Sequence, residues 1–243
     1  MRDRALTSPF LPPTTYRLPP TVYRLPSTVY HLPPAACRLS PTTMKPHHTP
    51  ENPFATRWTR PGALAYRFAG GDSAAALVER LRANNWWGEI IGPHGAGKST
   101  LLATLLPALR DAGRTPLLQS LHDGQRRLPR ELLTASPWTP ATQVIVDGYE
   151  QLSRLSRARL KRRCRRAGCG LLVTAHGPVG LPRLVQVEPD LATVAEIVDD
   201  LQARTPGVIS RAEVAERFAA HAGNIRDTLF DLYDLYEQRR RYG

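Results

Sequence analysis

Nine residues constrain this chain more than any others. Gly92-Pro93-His94-Gly95-Ala96-Gly97-Lys98-Ser99-Thr100 satisfies the pattern GxxxxGK[ST] at every fixed position. The flanks agree with it: Trp86 to Ile91 reads as a short buried strand, and Leu101 to Leu106 as the opening turns of a helix. Glycines permit backbone conformations closed to other residues, so successive N–H groups turn inward around phosphate oxygens at the positive end of a helix. In that frame Gly92 through Thr100 cradle a nucleotide. Lys98 reaches its β- and γ-phosphates, and the Ser99 hydroxyl ligates Mg²⁺.

A second run, Gln143-Val144-Ile145-Val146-Asp147, is apolar with a carboxylate at its C-terminal end. Parallel strands deliver ligand residues at that end, so Asp147 is the second expected Mg²⁺ ligand. Glu150 follows three residues on and is the candidate catalytic base, placed to polarise an attacking water. A helix-capping role is the alternative for it. Gly170 to Thr174 is another buried strand with a polar end, where Thr174 can sense a γ-phosphate. Leu184 to Val187 gives a fifth strand. Strands alternating with helices over 86–189 predict an α/β fold, a three-layer P-loop NTPase core on a parallel sheet.

The flanking regions read differently. Over 1–43 a proline-bearing heptapeptide repeats, as in Tyr16-Arg17-Leu18-Pro19 and Tyr23-Arg24-Leu25-Pro26. Proline in each copy denies regular hydrogen bonding, so the segment is expected to be disordered. Met44 follows the last copy, and the expectation is that translation naturally begins there; a proline-rich docking tail is the alternative. Residues 44–85 read as a loop with Phe54, Trp58 and Phe68, then a helix capped by Asp72 or Ser73. The aromatics either close over a base or cover the sheet. Residues 190–243 read as a small helical lid. Asp190 caps its first helix, Ser210 and Glu213 form a capping box for the second, and Ile225, Leu229, Leu232 and Tyr236 share a face of the third. Arg226 stands in the first turn of that third helix. The dipole disfavours a cation there, so an anionic ligand would explain it.

Charge adds one more feature. The chain carries 33 basic and 21 acidic residues, and 44–243 alone keeps a net charge of +8 once the five arginines and one aspartate of 1–43 are set aside. Eight basic residues with no acid between them fall at Arg154, Arg157, Arg159, Lys161, Arg162, Arg163, Arg165 and Arg166. Leu152, Leu155, Leu160 and Cys164 are expected to form the buried stripe of that helix. The arginines would then fan outward toward nucleic-acid phosphates or toward solvent. Three cysteines, Cys37, Cys164 and Cys169, with no secretory leader, predict reduced thiols in a cytoplasmic protein, and no apolar run is long enough to cross a membrane.

Taken in order, the GxxGxGKST loop, hhhhDGxE at 143–150, hhxT at 171–174 and Gly223-Asn224-Ile225-Arg226 resemble the AAA+ ATPases and the related STAND/NACHT branch, over roughly 52–237. The resemblance implies that Arg226 is the sensor 2 arginine, reaching the γ-phosphate from the lid, and that Thr174 is sensor 1. It implies an ATP hydrolase that cycles with Mg-ATP as a conformational switch. Asp147-Gly148-Tyr149-Glu150 departs from the family's usual Asp-Glu pair toward the Asp-Gly-x-Asp form of the STAND branch, which implies slow turnover. His176 stands where that branch often has an arginine. Arg183 would be the finger toward a neighbouring subunit in a homo-oligomer, or a protein partner would take that place. The chain has no LSGGQ-like signature and no NKxD, which favours ATP over GTP. Two other readings stand beside this one: a nucleic-acid-associated adaptor with little or no hydrolysis, and a P-loop phosphotransferase.

Overall fold

The computed structural model describes residues 51–242, apart from 69, 123, 135, 136 and 204–206. The repeats of 1–43, Cys37 and Met44 lie outside the described residues. After a one-turn helix α1 (Thr56–Thr59), α2 (Ala74–Ala83) begins at Ser73, whose hydroxyl accepts from the Ala76 N–H at 3.1 Å. The core then runs β1 (Trp87–Ile91), α3 (Lys98–Asp111), β2 (Thr115–Ser120), α4 (Arg130–Thr134) and β3 (Thr142–Asp147). A 3₁₀ turn (Tyr149–Gln151), α5 (Arg154–Ala167), β4 (Gly170–Ala175) and β5 (Arg183–Gln186) complete it. Three helices follow: α6 (Leu191–Leu201), α7 (Arg211–Ala220) and α8 (Ile225–Tyr242). Among the described residues no helix is long and apolar enough to cross a membrane.

The five strands pair in parallel in the order β2-β3-β4-β1-β5. The chain leaves β1 toward one edge of the sheet and leaves β4 toward the other. A crevice therefore opens between their carboxyl ends, which is where α/β sheets bind ligands. Both strands are buried without alternation because both faces of the sheet are covered. On one face α2 and α3 bury Leu77, Leu81, Leu101, Leu105 and Leu109 against Ile90 and Leu172. On the other, Leu160 and Cys164 of α5 pack with Val144, Val146, Leu171 and Val173.

One expected member of that second stripe is misplaced. Leu155 is 59% exposed, and Leu152 lies ahead of the helix although it is buried. Leu155 stands five positions before Leu160, about 140° around an α-helix from the line through Leu160 and Cys164. Cys169, immediately before β4, is buried beside Cys164, and both thiols are free.

The helices α6 to α8 have their own core of Val194, Val198, Val214, Leu229, Leu232 and Tyr236. The caps read from the sequence are present: Asp190 accepts from Thr193 N–H at 2.8 Å, and Ser210 and Glu213 form the reciprocal box. Phe54 neither covers the sheet nor faces a base. It is buried in this helical core, edge-on to Tyr236 with ring centres 6.1 Å apart. Asn52 holds it there by donating to Tyr233 O and Glu237 Oε1, each at 3.0 Å. Trp58 is largely exposed, while Phe68 packs on the α2–α3 side next to Tyr66.

Candidate nucleotide site

The glycine loop closes at Gly97, whose φ of 95° only glycine takes readily, and Lys98 opens α3 immediately afterwards. The Lys98 ammonium is nearly buried and donates to two carbonyls of its own loop, Gly92 O at 2.7 Å and Pro93 O at 2.6 Å. Among the described residues no carboxylate pairs with it directly. Burial pulls its pKa down, the Glu150 and Asp147 carboxylates pull it back up, and Arg226 pushes it down again. A buried cation held only by carbonyls is a strong attractor for an anion.

Asp147 ends β3 beside that loop, with β4 between them in the sheet. Both of its carboxylate oxygens are engaged. The Ser99 hydroxyl donates to Oδ2 at 2.7 Å and the Thr174 hydroxyl to Oδ1 at 2.6 Å, while Thr174 Oγ1 accepts from the Gly148 N–H at 2.9 Å. Thr174, fully buried at the end of β4, therefore orients the aspartate and fixes the turn after it. Among the described residues no cluster of three or more His, Cys, Asp or Glu side chains could hold a metal by itself. One carboxylate and one hydroxyl, both hard oxygen donors, suit Mg²⁺, which binds through one or two carboxylates with phosphate and water completing its shell.

Glu150 lies on the 3₁₀ turn. Its Oε1 is 3.3 Å from His176 Nε2, its Oε2 is buried with no hydrogen-bond partner, and its backbone carbonyl accepts from the Arg157 guanidinium at 2.6 Å. His176 follows β4 and its ring lies 4.0 Å from that of His94 in the glycine loop. Burial lowers the His176 pKa most, Glu150 opposes this, and His94 and Lys98 add to the lowering. The His94–His176 contact was not read from the sequence, where the only signal was a histidine two positions past Thr174.

From the helical side, Asn224 comes down on the loop. Its side chain caps α8, accepting from the Asp227 N–H at 3.2 Å and donating to Asp227 Oδ2 at 2.6 Å. A Cβ on Gly95 would fall 1.7 Å from Asn224 Oδ1. Arg226, one residue into α8, is exposed, and its side chain has no hydrogen-bond or ion-pair partner among the described residues. Arg183 lies on the outer strand β5 and donates to Gln186 Oε1 at 3.2 Å, away from the Lys98–Asp147 cluster. Glu89 was also overlooked: buried in β1, its carboxylate accepts from the N–H groups of Val179 and Leu181 and fixes the loop between β4 and β5.

No family model matches this sequence, and no curated protein matches it either. Solved structures do. Drosophila ORC bound to DNA aligns with a TM-score of 0.52 at 15% identity, over 84% of this chain and 65% of that one. Cdc6p from Pyrobaculum aerophilum aligns with a TM-score of 0.54 at 14% identity, over 76% of this chain and 66% of that one. The chain thus spans just under two thirds of the length of either neighbour. At such identities the likeness carries the fold alone: a parallel five-stranded α/β core followed by a C-terminal helical part.

Proposed function

We propose that this protein binds Mg-ATP and hydrolyses it slowly, using the nucleotide to set the position of α6–α8 against the core as AAA+ and STAND-like switches do. The observation that carries this is the Asp147 carboxylate, held by Ser99 from the glycine loop and by Thr174 from β4, next to the buried Lys98 ammonium. Lys98 exchanges its two carbonyl acceptors for phosphate oxygens. Ser99 and Asp147 would hold the Mg²⁺, which would neutralise charge on the phosphates. Glu150 orients a water and accepts its proton, and Arg226 meets the terminal phosphate from α8.

Two features favour slow turnover. Glu150 stands three residues past Asp147 on a turn, and it already has a neighbour in His176. The test is nucleotide binding and phosphate release by the full chain. Lys98→Ala is expected to abolish ATP binding, while Glu150→Gln keeps binding and stops cleavage. An unaltered phosphate-release rate in the glutamate variant would remove Glu150 as the base, and binding that survives Lys98→Ala would overturn the whole reading.

A further inference from the structure

A second site lies on the α4–α5 side of the sheet, apart from the glycine loop. On α5, Arg159, Arg162, Arg163 and Arg166 fall at i, i+3, i+4 and i+7, so they form one stripe along the helix. Arg127 and Arg130 join them from the segment that enters α4, and the six line a cleft of about 820 Å³. Its floor is apolar, made by Leu128, Leu133, Trp138 and Leu160, and no described carboxylate lines it. Arg163 belongs to the wall: it donates to Leu133 O at 2.5 Å and covers the Trp138 ring at 4.4 Å. The side chains of the other five are exposed and make no hydrogen bond or ion pair to any described residue.

A generally basic surface does not account for this. Many arginines elsewhere find acids: Arg67 pairs with Glu196 and Asp200, Arg211 with Asp199, Arg217 with Asp231, and Arg239 with Glu213. Within α5 itself, Arg157 and Arg165 are turned to structural tasks, on the Glu150 carbonyl and the Trp87 ring. Other arginines without a partner among the described residues, Arg60, Arg110, Arg226 and Arg241 among them, do not line this cleft, whereas five such guanidiniums from two separate stretches of chain do. Like charges so gathered repel one another until an anion enters.

We infer that this cleft binds the phosphate backbone of duplex nucleic acid without reading its bases. Guanidinium forks match phosphate oxygens two at a time. From Arg159 to Arg166 the stripe is about 10 Å long at 1.5 Å per residue. A duplex carries about six phosphate charges over that length of axis. An extended acidic peptide would offer only about three residues there, with side chains alternating away from the cleft. Trp138, the one aromatic ring among the residues that line the cleft, has a face taken by Arg163, and a lone half-covered ring does not make the series of platforms on which successive unpaired bases stack.

The test does not depend on the nucleotide reading, because it needs no ATP. Anisotropy of a short fluorescein-labelled duplex of random sequence is followed with the full chain across a salt titration. Five free arginines predict a slope of log K against log salt of about −4.5, at about 0.9 per phosphate neutralised. Arg159→Ala/Arg162→Ala flattens it by about 1.8. The control Arg154→Ala/Arg240→Ala removes the same net charge outside the cleft and leaves the slope as it was. All four positions are exposed, so each pair is expected to fold, which the far-ultraviolet dichroism checks. Absence of binding at low salt, equal effects of the two pairs, or displacement of the duplex by polyglutamate at equal charge would each overturn the inference.

Discussion

The contact between Gly95 and Asn224 gives a prediction whose size can be worked out. Gly95 has φ +67°, and an added Cβ would meet Asn224 Oδ1 at 1.7 Å, so something must move. The left-handed conformation costs an alanine about 1 kcal/mol. Asn224 is the movable partner, and displacing it forfeits the cap on α8, a further loss of about 1 kcal/mol. Gly95→Ala is therefore expected to cost about 2 kcal/mol. Asn224→Ala loses the cap alone, about 1 kcal/mol. In the double variant the cap is lost only once, so the total stays near 2 kcal/mol instead of the additive 3, a coupling of about −1 kcal/mol. Urea unfolding of the four proteins, read as midpoint shifts at a common m-value, measures this directly. Additivity to within about 0.4 kcal/mol would mean that Asn224 does not rest on the glycine loop, and the link from α8 to the nucleotide site would fall with it.

Three further outcomes follow from the same geometry. Thr174→Val keeps the buried volume but strands the Gly148 N–H and releases Asp147 Oδ1; a loss of about 2 to 4 kcal/mol is expected in urea unfolding, with ATP affinity becoming insensitive to Mg²⁺ in titration calorimetry. His176 binds a proton less readily folded than unfolded, so its contribution is complete above the ordinary histidine range near 6.5 and is lost as pH falls below it. Protonation also gives Glu150 a cationic neighbour and withdraws the base, so phosphate release should fall as pH drops below the ordinary histidine range near 6.5; an acid limb unchanged in His176→Gln would refute that assignment. Arg226→Ala should weaken ATP binding by about tenfold, near 1.4 kcal/mol, while ADP affinity barely changes; equal losses for the two nucleotides would place the arginine away from the terminal phosphate.

What could be read from the chain divides along the range of the interactions. The glycine loop, the carboxylate ending β3 and the caps at Ser73, Asp190 and Ser210 are local features, each decided by residues within a few positions, and each stands where its pattern predicted. The sheet order was not legible, because nothing in Gly170–Ala175 states that it will lie between β1 and β3. Phe54 failed for the same reason: its partner Tyr236 lies at the far end of the chain, and a lone aromatic in a proline-rich loop carries no address. Leu155 failed on phase, since the helix begins at Arg154 and the stripe is set by Leu160 and Cys164. The density of arginine over 154–166 was plain in the sequence. Which of those side chains are free was not, because Arg157, Arg163 and Arg165 are distinguished from their neighbours only by what the fold brings to them.

That division matters for how the two sites relate. The stretch from Asp147 to Arg157 begins at the candidate Mg²⁺ ligand and ends in the first turn of the arginine helix, and it is tied at nearly every step. Gly148 is bonded to Thr174, Tyr149 is fully buried with Arg157 across its ring at 5.2 Å, and the Glu150 and Leu152 carbonyls both accept from the Arg157 guanidinium. Ser153 then caps α5 through the Ser156 N–H. A connector so tightly held does not bend gradually, because closely packed interiors yield little to small strains. It moves as a unit or not at all. Any shift of Glu150 that accompanies nucleotide binding must therefore be absorbed by the start of α5 or blocked by it. If both sites are filled as proposed, any coupling between them is reciprocal by thermodynamic necessity: whatever factor Mg-ATP applied to the affinity of the arginine cleft for a duplex, the duplex would apply to the affinity of the glycine loop for Mg-ATP.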